Sequence, residues 1–204
     1  MINIIIKNKE IINLLNDYST WFQKLDKSQL RIIGKPDKDD YYTREKYFKT
    51  INQEKHAGFP EISYGVDINM ADSTSLNLRE RIRQVDSDFN DVLSAKHCAV
   101  KMYYPKGGYM GWHNNHNASG YNILFSYTKN GGGYFKYKNP NTLESVTMSD
   151  TPGWTAKVGY YGMLKEKDKI YWHCARAYED RLTLGFVIPD KNFWEMMIED
   201  IESE

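Results

Sequence analysis

The spacing of apolar residues changes near position 95. Before it, Ile11, Ile12, Leu14, Leu15, Tyr18, Trp21, Phe22 and Leu25 recur at helical intervals and predict an amphipathic helix through about Leu25. Leu78, Ile82, Val85, Phe89 and Val92 repeat the stripe. They predict a second helix, capped by Ser73 or Ser75 and ending near Leu93. Ile2, Ile4, Ile5 and Ile6 suit a short opening strand, whereas residues 26–72 carry no assignable period.

Beyond Ala95 the chain breaks into short β segments separated by Gly, Pro and Asn. Strands are predicted at 98–104, 121–127, 133–137, 145–148, 156–163, 170–174 and 181–188. No helix-length period lies between them, so a parallel α/β sheet is excluded. Short strands after a helical preface predict a mainly β fold: a double-stranded β-helix, or jelly roll, with the N-terminal helices packed on one sheet. Gly131-Gly132-Gly133 lacks the Lys-Ser/Thr of a phosphate-binding loop and suits a hairpin connection. The 204 residues suit one domain: a helical preface over 1–94, a barrel core over 95–190, and an acidic tail or short helix over 191–204.

Composition adds sixteen Tyr, eight Phe and five Trp, a content that favours strands and aromatic-lined pockets. The 27 basic and 27 acidic residues balance, which disfavours nucleic acid as a partner, because backbone binding needs a positive field. Two cysteines do not make a disulfide scaffold. No stretch is apolar enough to cross a bilayer. The expectation is a cytoplasmic protein in a reducing compartment.

Chemistry concentrates in two places. His113 and His116 flank Asn114-Asn115, and His173 comes sixty residues after His113. Imidazoles that far apart can converge inside a barrel on a first-row divalent metal. Arg181 lies eight residues beyond His173 and opens the alternating run Leu182-Thr183-Leu184-Gly185-Phe186-Val187-Ile188. At the entry of a strand with one inward face, a planar guanidinium can clamp a carboxylate. It can equally be a surface Arg paired with Glu179 or Asp180.

Residues 95–189 resemble the iron- and 2-oxoglutarate-dependent dioxygenase superfamily, in particular its prolyl-hydroxylase-like branch. The resemblance rests on four blocks in the family's order: Tyr104-Pro105 with Gly111-Trp112-His113-Asn114-Asn115; Tyr121 to Tyr127; Gly132-Gly133-Tyr134-Phe135; and Trp172-His173 with Arg181. It implies an oxygenase with Fe(II) on His113 and His173, and 2-oxoglutarate held by Arg181. Tyr127, Tyr104 and Thr183 would add hydrogen bonds to that co-substrate. An apolar wall is expected from Tyr103, Trp112, Tyr121 and Phe125.

The departure is Asn115, where the family has Asp or Glu. Strand alternation puts residue 115 on the side of His113 and residue 116 on the other, so Asn115 is expected at the third metal position as a weak ligand or a holder of water. A three-histidine site with His116, a halogenase-like vacancy and lost catalysis are the alternatives. The resemblance implies a peptide or protein residue as substrate, and the short chain suits a small metabolite as well. The rival is a non-catalytic binding protein on the same barrel.

Overall fold

In a computed structural model, residues 1–37, 39–51, 62–70, 76–115, 118–163 and 165–204 are described. The chain opens with strand β1 (Ile2–Ile4), helix α1 (Lys9–Lys24), the two-residue β2 (Ile33–Gly34) and the one-turn α2 (Glu45–Phe48). Next come β3 (Ser63–Asp67), α3 (Leu76–Leu93), β4 (His97–Tyr104), β5 (Tyr109–His113) and β6 (Gly120–Thr128). The remainder is β7 (Gly133–Lys138), β8 (Ser145–Ser149), β9 (Gly153–Tyr161), β10 (His173–Ala177), β11 (Arg181–Ile188) and α4 (Lys191–Glu202).

The strands pair in the order β1-β9-β6-β11-β4-β3-β5-β10-β7-β8, with β2 beside β3, and every pairing is antiparallel. β3 joins the two faces: Val66 and Asp67 pair with β4, while Ser63 and Tyr64 pair with β5. The result is a nearly closed jelly-roll barrel, as the strand grammar predicted.

Alternation on β11 decides which side is core. Leu182, Leu184, Phe186 and Ile188 turn outward and pack with Ile11, Leu15, Tyr18 and Phe22 of α1 and with Val85, Phe89 and Leu93 of α3. Both predicted helices thus cover one sheet. Ile11, Leu15, Tyr18 and Phe22 of the first stripe and Leu78, Val85 and Phe89 of the second are buried, joined by Ser19 and Leu93, while the other predicted members are half-buried. α1 is capped by Asn8, whose side chain accepts from the Glu10 and Ile11 amides. The predicted caps of α3, Ser73 and Ser75, lie outside the described residues. The acidic C-terminal segment is helix α4, capped by Asp190 and anchored by buried Ile201. None of the described helices is long and apolar enough to cross a membrane.

Candidate functional site

The inward positions of β11 (Arg181, Thr183, Gly185) meet those of β4 (Val100, Tyr104), β6 (Asn122, Leu124), β5 (Met110, His113) and β10 (His173) around a cavity of about 80 Å³. His113 and His173 occupy directly opposed positions of the β5–β10 ladder, and their ring centroids are 4.1 Å apart.

A bulge produces that juxtaposition. Met110 and His113 are three residues apart, so regular alternation would send them to opposite sides. The β5–β10 register shifts between His173 and Ala175, and both side chains line the cavity, because an extra residue on one strand re-aims the side chains beyond it. Gly111 permits the close approach: a Cβ there would stand 2.8 Å from the Ile62 carbonyl oxygen. Trp112 faces the other way, against Phe48 and Trp172.

Each imidazole is held by the carbonyl two residues before it. His113 Nδ1 lies 2.9 Å from Gly111 O, and His173 Nδ1 lies 2.8 Å from Tyr171 O. A carbonyl only accepts, so Nδ1 carries the hydrogen and Nε2 the lone pair, the usual outer support of a metal-binding histidine. Phe135 and Tyr161 flank the His173 ring, with centroids 5.5 and 5.1 Å away. Burial pushes the His173 pKa down to about 4, opposed by the Tyr171 carbonyl, so this ring is neutral at pH 7.

Asn115 lines the same cavity, and His116 lies outside the described residues. Among the described residues no three His, Cys, Asp or Glu converge as a metal set. Beside the two imidazoles the cavity is lined by two neutral amides, Asn115 and Asn122, and Asn122 Nδ2 already donates to Gly120 O at 2.8 Å. Such a set fits a divalent first-row ion held chiefly by nitrogen.

Arg181, one of the largest fully buried side chains, is not a surface Arg. Its Nε donates to Asp150 Oδ2 at 2.7 Å, and its Nη2 to Ser126 Oγ at 2.9 Å and Asp150 Oδ1 at 3.4 Å. Nη1 donates to Thr183 Oγ1 at 2.5 Å. Lys157, equally buried, donates to Asp150 Oδ1 at 3.2 Å and Thr155 Oγ1 at 3.1 Å. Two cations therefore share one carboxylate. Burial alone would raise the Asp150 pKa, but Arg181 and Lys157 reverse this and leave it below the ordinary carboxylate range.

The four contacts from Arg181 leave one of its five N–H groups for a ligand. The Thr183 hydroxyl accepts from Arg181 and keeps its own hydrogen to donate. Tyr104 lines the same space, its ring 5.7 Å from the guanidinium; its hydroxyl donates to Met110 Sδ at 3.8 Å, a weak bond that a carboxylate acceptor would replace. Burial raises the Tyr104 pKa far above the ordinary phenol range, partly opposed by Arg181, so it stays a donor. Three donors beside an excess positive charge fit one carboxylate group.

Other expected residues lie elsewhere. Tyr127 turns outward, packs on Trp154, and accepts from Gln23 Nε2 at 3.1 Å. Alternation puts it opposite to Ser126, so the expected role in co-substrate binding does not fit its position. Tyr103, Tyr121 and Phe125 likewise face the helices, and with outward Trp112 the expected apolar wall is replaced by Leu124, Phe135, Tyr161 and Met110. Asp150, Ser126 and Lys157 went unread in the sequence. The available signal was polar residues at 126 and 157 within otherwise apolar strands.

No family model and no curated protein matches the chain. Among solved structures, a predicted oxalate decarboxylase from Thermotoga maritima is similar, at 16% identity and a TM-score of 0.30, covering 62% of this chain and 79% of that one. The jelly-roll assignment stands on the strand pairing described above.

Proposed function

We propose that the barrel cavity is the centre of an oxygenase that takes Fe(II) and 2-oxoglutarate. The observation that carries this reading is the direct opposition of His113 and His173, in a cavity also lined by Arg181, Thr183 and Tyr104. His113 and His173 would hold the metal, with Asn115 as a neutral third donor. Arg181, Thr183 and Tyr104 would receive the distal carboxylate of the co-substrate. Iron with 2-oxoglutarate supplies dioxygen activation coupled to oxidative decarboxylation, and the protein's part is to bind, orient and exclude water.

The test is anaerobic titration of metal-free protein with Fe(II), 2-oxoglutarate, and both together, followed by thermal stability. Ligands that bind only the folded state raise its melting temperature. A larger shift with both than with either supports the reading, and no shift with any combination ends it. A non-catalytic binding protein on the same barrel is the second reading, favoured by the neutral Asn115. It predicts ligand binding without succinate release under air.

A further inference from the structure

Beside the histidine cavity lies a wider one of about 590 Å³, and the two share Val100, Met110, His113, Asn115 and Asn122. The wider cavity is therefore a vestibule that opens onto the edge of His113. Its wall is mostly apolar and includes three methionines, Met102, Met110 and Met163. Thioether side chains are flexible and polarisable, so they mould to apolar groups of varied outline.

Its charges are unevenly placed. Lys96 and His97 stand at the beginning of β4, and both are exposed. Asp67 stands at the far end, paired in register with Met102. Lys101, the other cation of the lining, is occupied by Asp86 at 2.5 Å. Between Lys96 and Met102 the strand, bulged between Cys98 and Val100, spans roughly 17 Å at about 3.3 Å per register position. A bound molecule thus meets a cation and an imidazole at one end, a carboxylate at the other, and an apolar bed between them.

We infer that this vestibule is the primary-substrate site and that it takes an anionic amphiphile, a molecule with an apolar body and one terminal carboxylate. The apolar body lies along the methionine wall past His113 and Asn115. Lys96 and His97 receive the anionic end. The assignment of the reacting end rests on the oxygenase reading, whereas the charge preference of the site does not.

The experiment therefore uses metal-free protein without 2-oxoglutarate. Protein labelled at the methionine methyls is titrated with octanoate, octan-1-ol and octylammonium, and the Met102, Met110 and Met163 signals are followed by NMR. Octanoate is expected to move these signals and to bind at least about threefold more tightly than octanol, the scale of one partly exposed ion pair. Lys96→Glu should abolish that advantage, while Lys191→Glu, the same charge change outside this lining, should leave it. Equal binding of octanoate and octanol, tighter binding of octylammonium, or unmoved methionine signals would each overturn the inference. Either result is independent of whether iron binds.

Discussion

Asp150 and Arg181 form a buried ion pair, each side chain only 1% exposed, with Nε to Oδ2 at 2.7 Å. Asp150 comes from the turn before β9, while Arg181 opens β11. The pair fixes the plane of the guanidinium, and through it the N–H that remains for a ligand. Lys157 completes the group, so the site is positive even though Arg181 already has a carboxylate partner.

Removing that carboxylate without changing its shape should be costly. Asp150→Asn leaves two buried cations facing a neutral amide, and breaking a buried pair by removing one partner costs about 3–5 kcal/mol. Denaturant unfolding should show a loss of this size. Adding Lys157→Met should recover part of it, because one surplus cation is gone. Additive losses in the double variant would mean that the three groups do not form one network.

The same carboxylate sets an acid limb. Its folded pKa lies below the ordinary value, so its contribution to stability is fully present above the unfolded pKa of about 3.9. That contribution is lost as pH falls through the folded pKa. Stability measured from pH 6 downward should therefore fall less steeply below about pH 4 in Asp150→Asn than in wild type. Parallel curves would show that Asp150 does not titrate with folding.

Gly133 holds space for this pair. A Cβ at residue 133 would stand 2.7 Å from Asp150 Oδ2 and 2.7 Å from the Arg176 carbonyl oxygen, and the second of these is backbone. Gly133→Ala should cost about 1–3 kcal/mol, as overpacking does. It should also weaken 2-oxoglutarate binding while sparing metal binding by the His113–His173 pair. Calorimetric titration of each ligand separates the two effects, and equal weakening of both would place the damage in the barrel as a whole.

Local rules made part of the fold and site legible. The outward Leu182, Leu184, Phe186 and Ile188 and inward Arg181 and Thr183 were readable, because alternation on one strand needs no knowledge of its neighbours. The same rule, applied to Tyr127, should have put it opposite to Ser126. The resemblance implies an inward Tyr127, whereas its ring packs on Trp154 and its hydroxyl accepts from Gln23 on the helix-covered face, as alternation dictates. β3 and β5 were not predicted as strands. β3 is five residues in a stretch without period, and β5 contains the bulge that breaks the repeat. Asp150 was unreadable because its meaning depends on Arg181, thirty-one residues away.

Tyr104 and Tyr127 give a clean comparison of alternation with resemblance. Tyr104→Phe removes a donor facing the cavity, whereas Tyr127→Phe removes a hydroxyl that meets Gln23 on the helix-covered side. Loss of a hydrogen bond to a charged group costs about 1.5–3 kcal/mol. Tyr104→Phe should therefore weaken 2-oxoglutarate binding at least about tenfold, and Tyr127→Phe should leave it unchanged. The reverse order would return Tyr127 to the site and require a different inward face for β6.

On the proposed oxygenase reading, Asn115 would set the character of the metal position. It shares the cavity with His113 and His173, so a carboxylate there would complete two imidazoles with an anion, where the amide now offers a neutral oxygen. Opposite charge strengthens ligation of a divalent ion, and Asn115→Asp should tighten Fe(II) binding by at least about tenfold, or 1.4 kcal/mol. The substitution is nearly isosteric and leaves Arg181, Thr183 and Tyr104 untouched, so 2-oxoglutarate binding should persist. Anaerobic Fe(II) titration of wild type, Asn115→Asp, Asn115→Ala and His116→Ala, with and without 2-oxoglutarate, tests this. Asn115→Ala should weaken binding modestly, and His116→Ala should not. Were His116→Ala to abolish binding while both Asn115 variants matched wild type, the third donor would be an imidazole, and the neutral amide would be a bystander in the cavity.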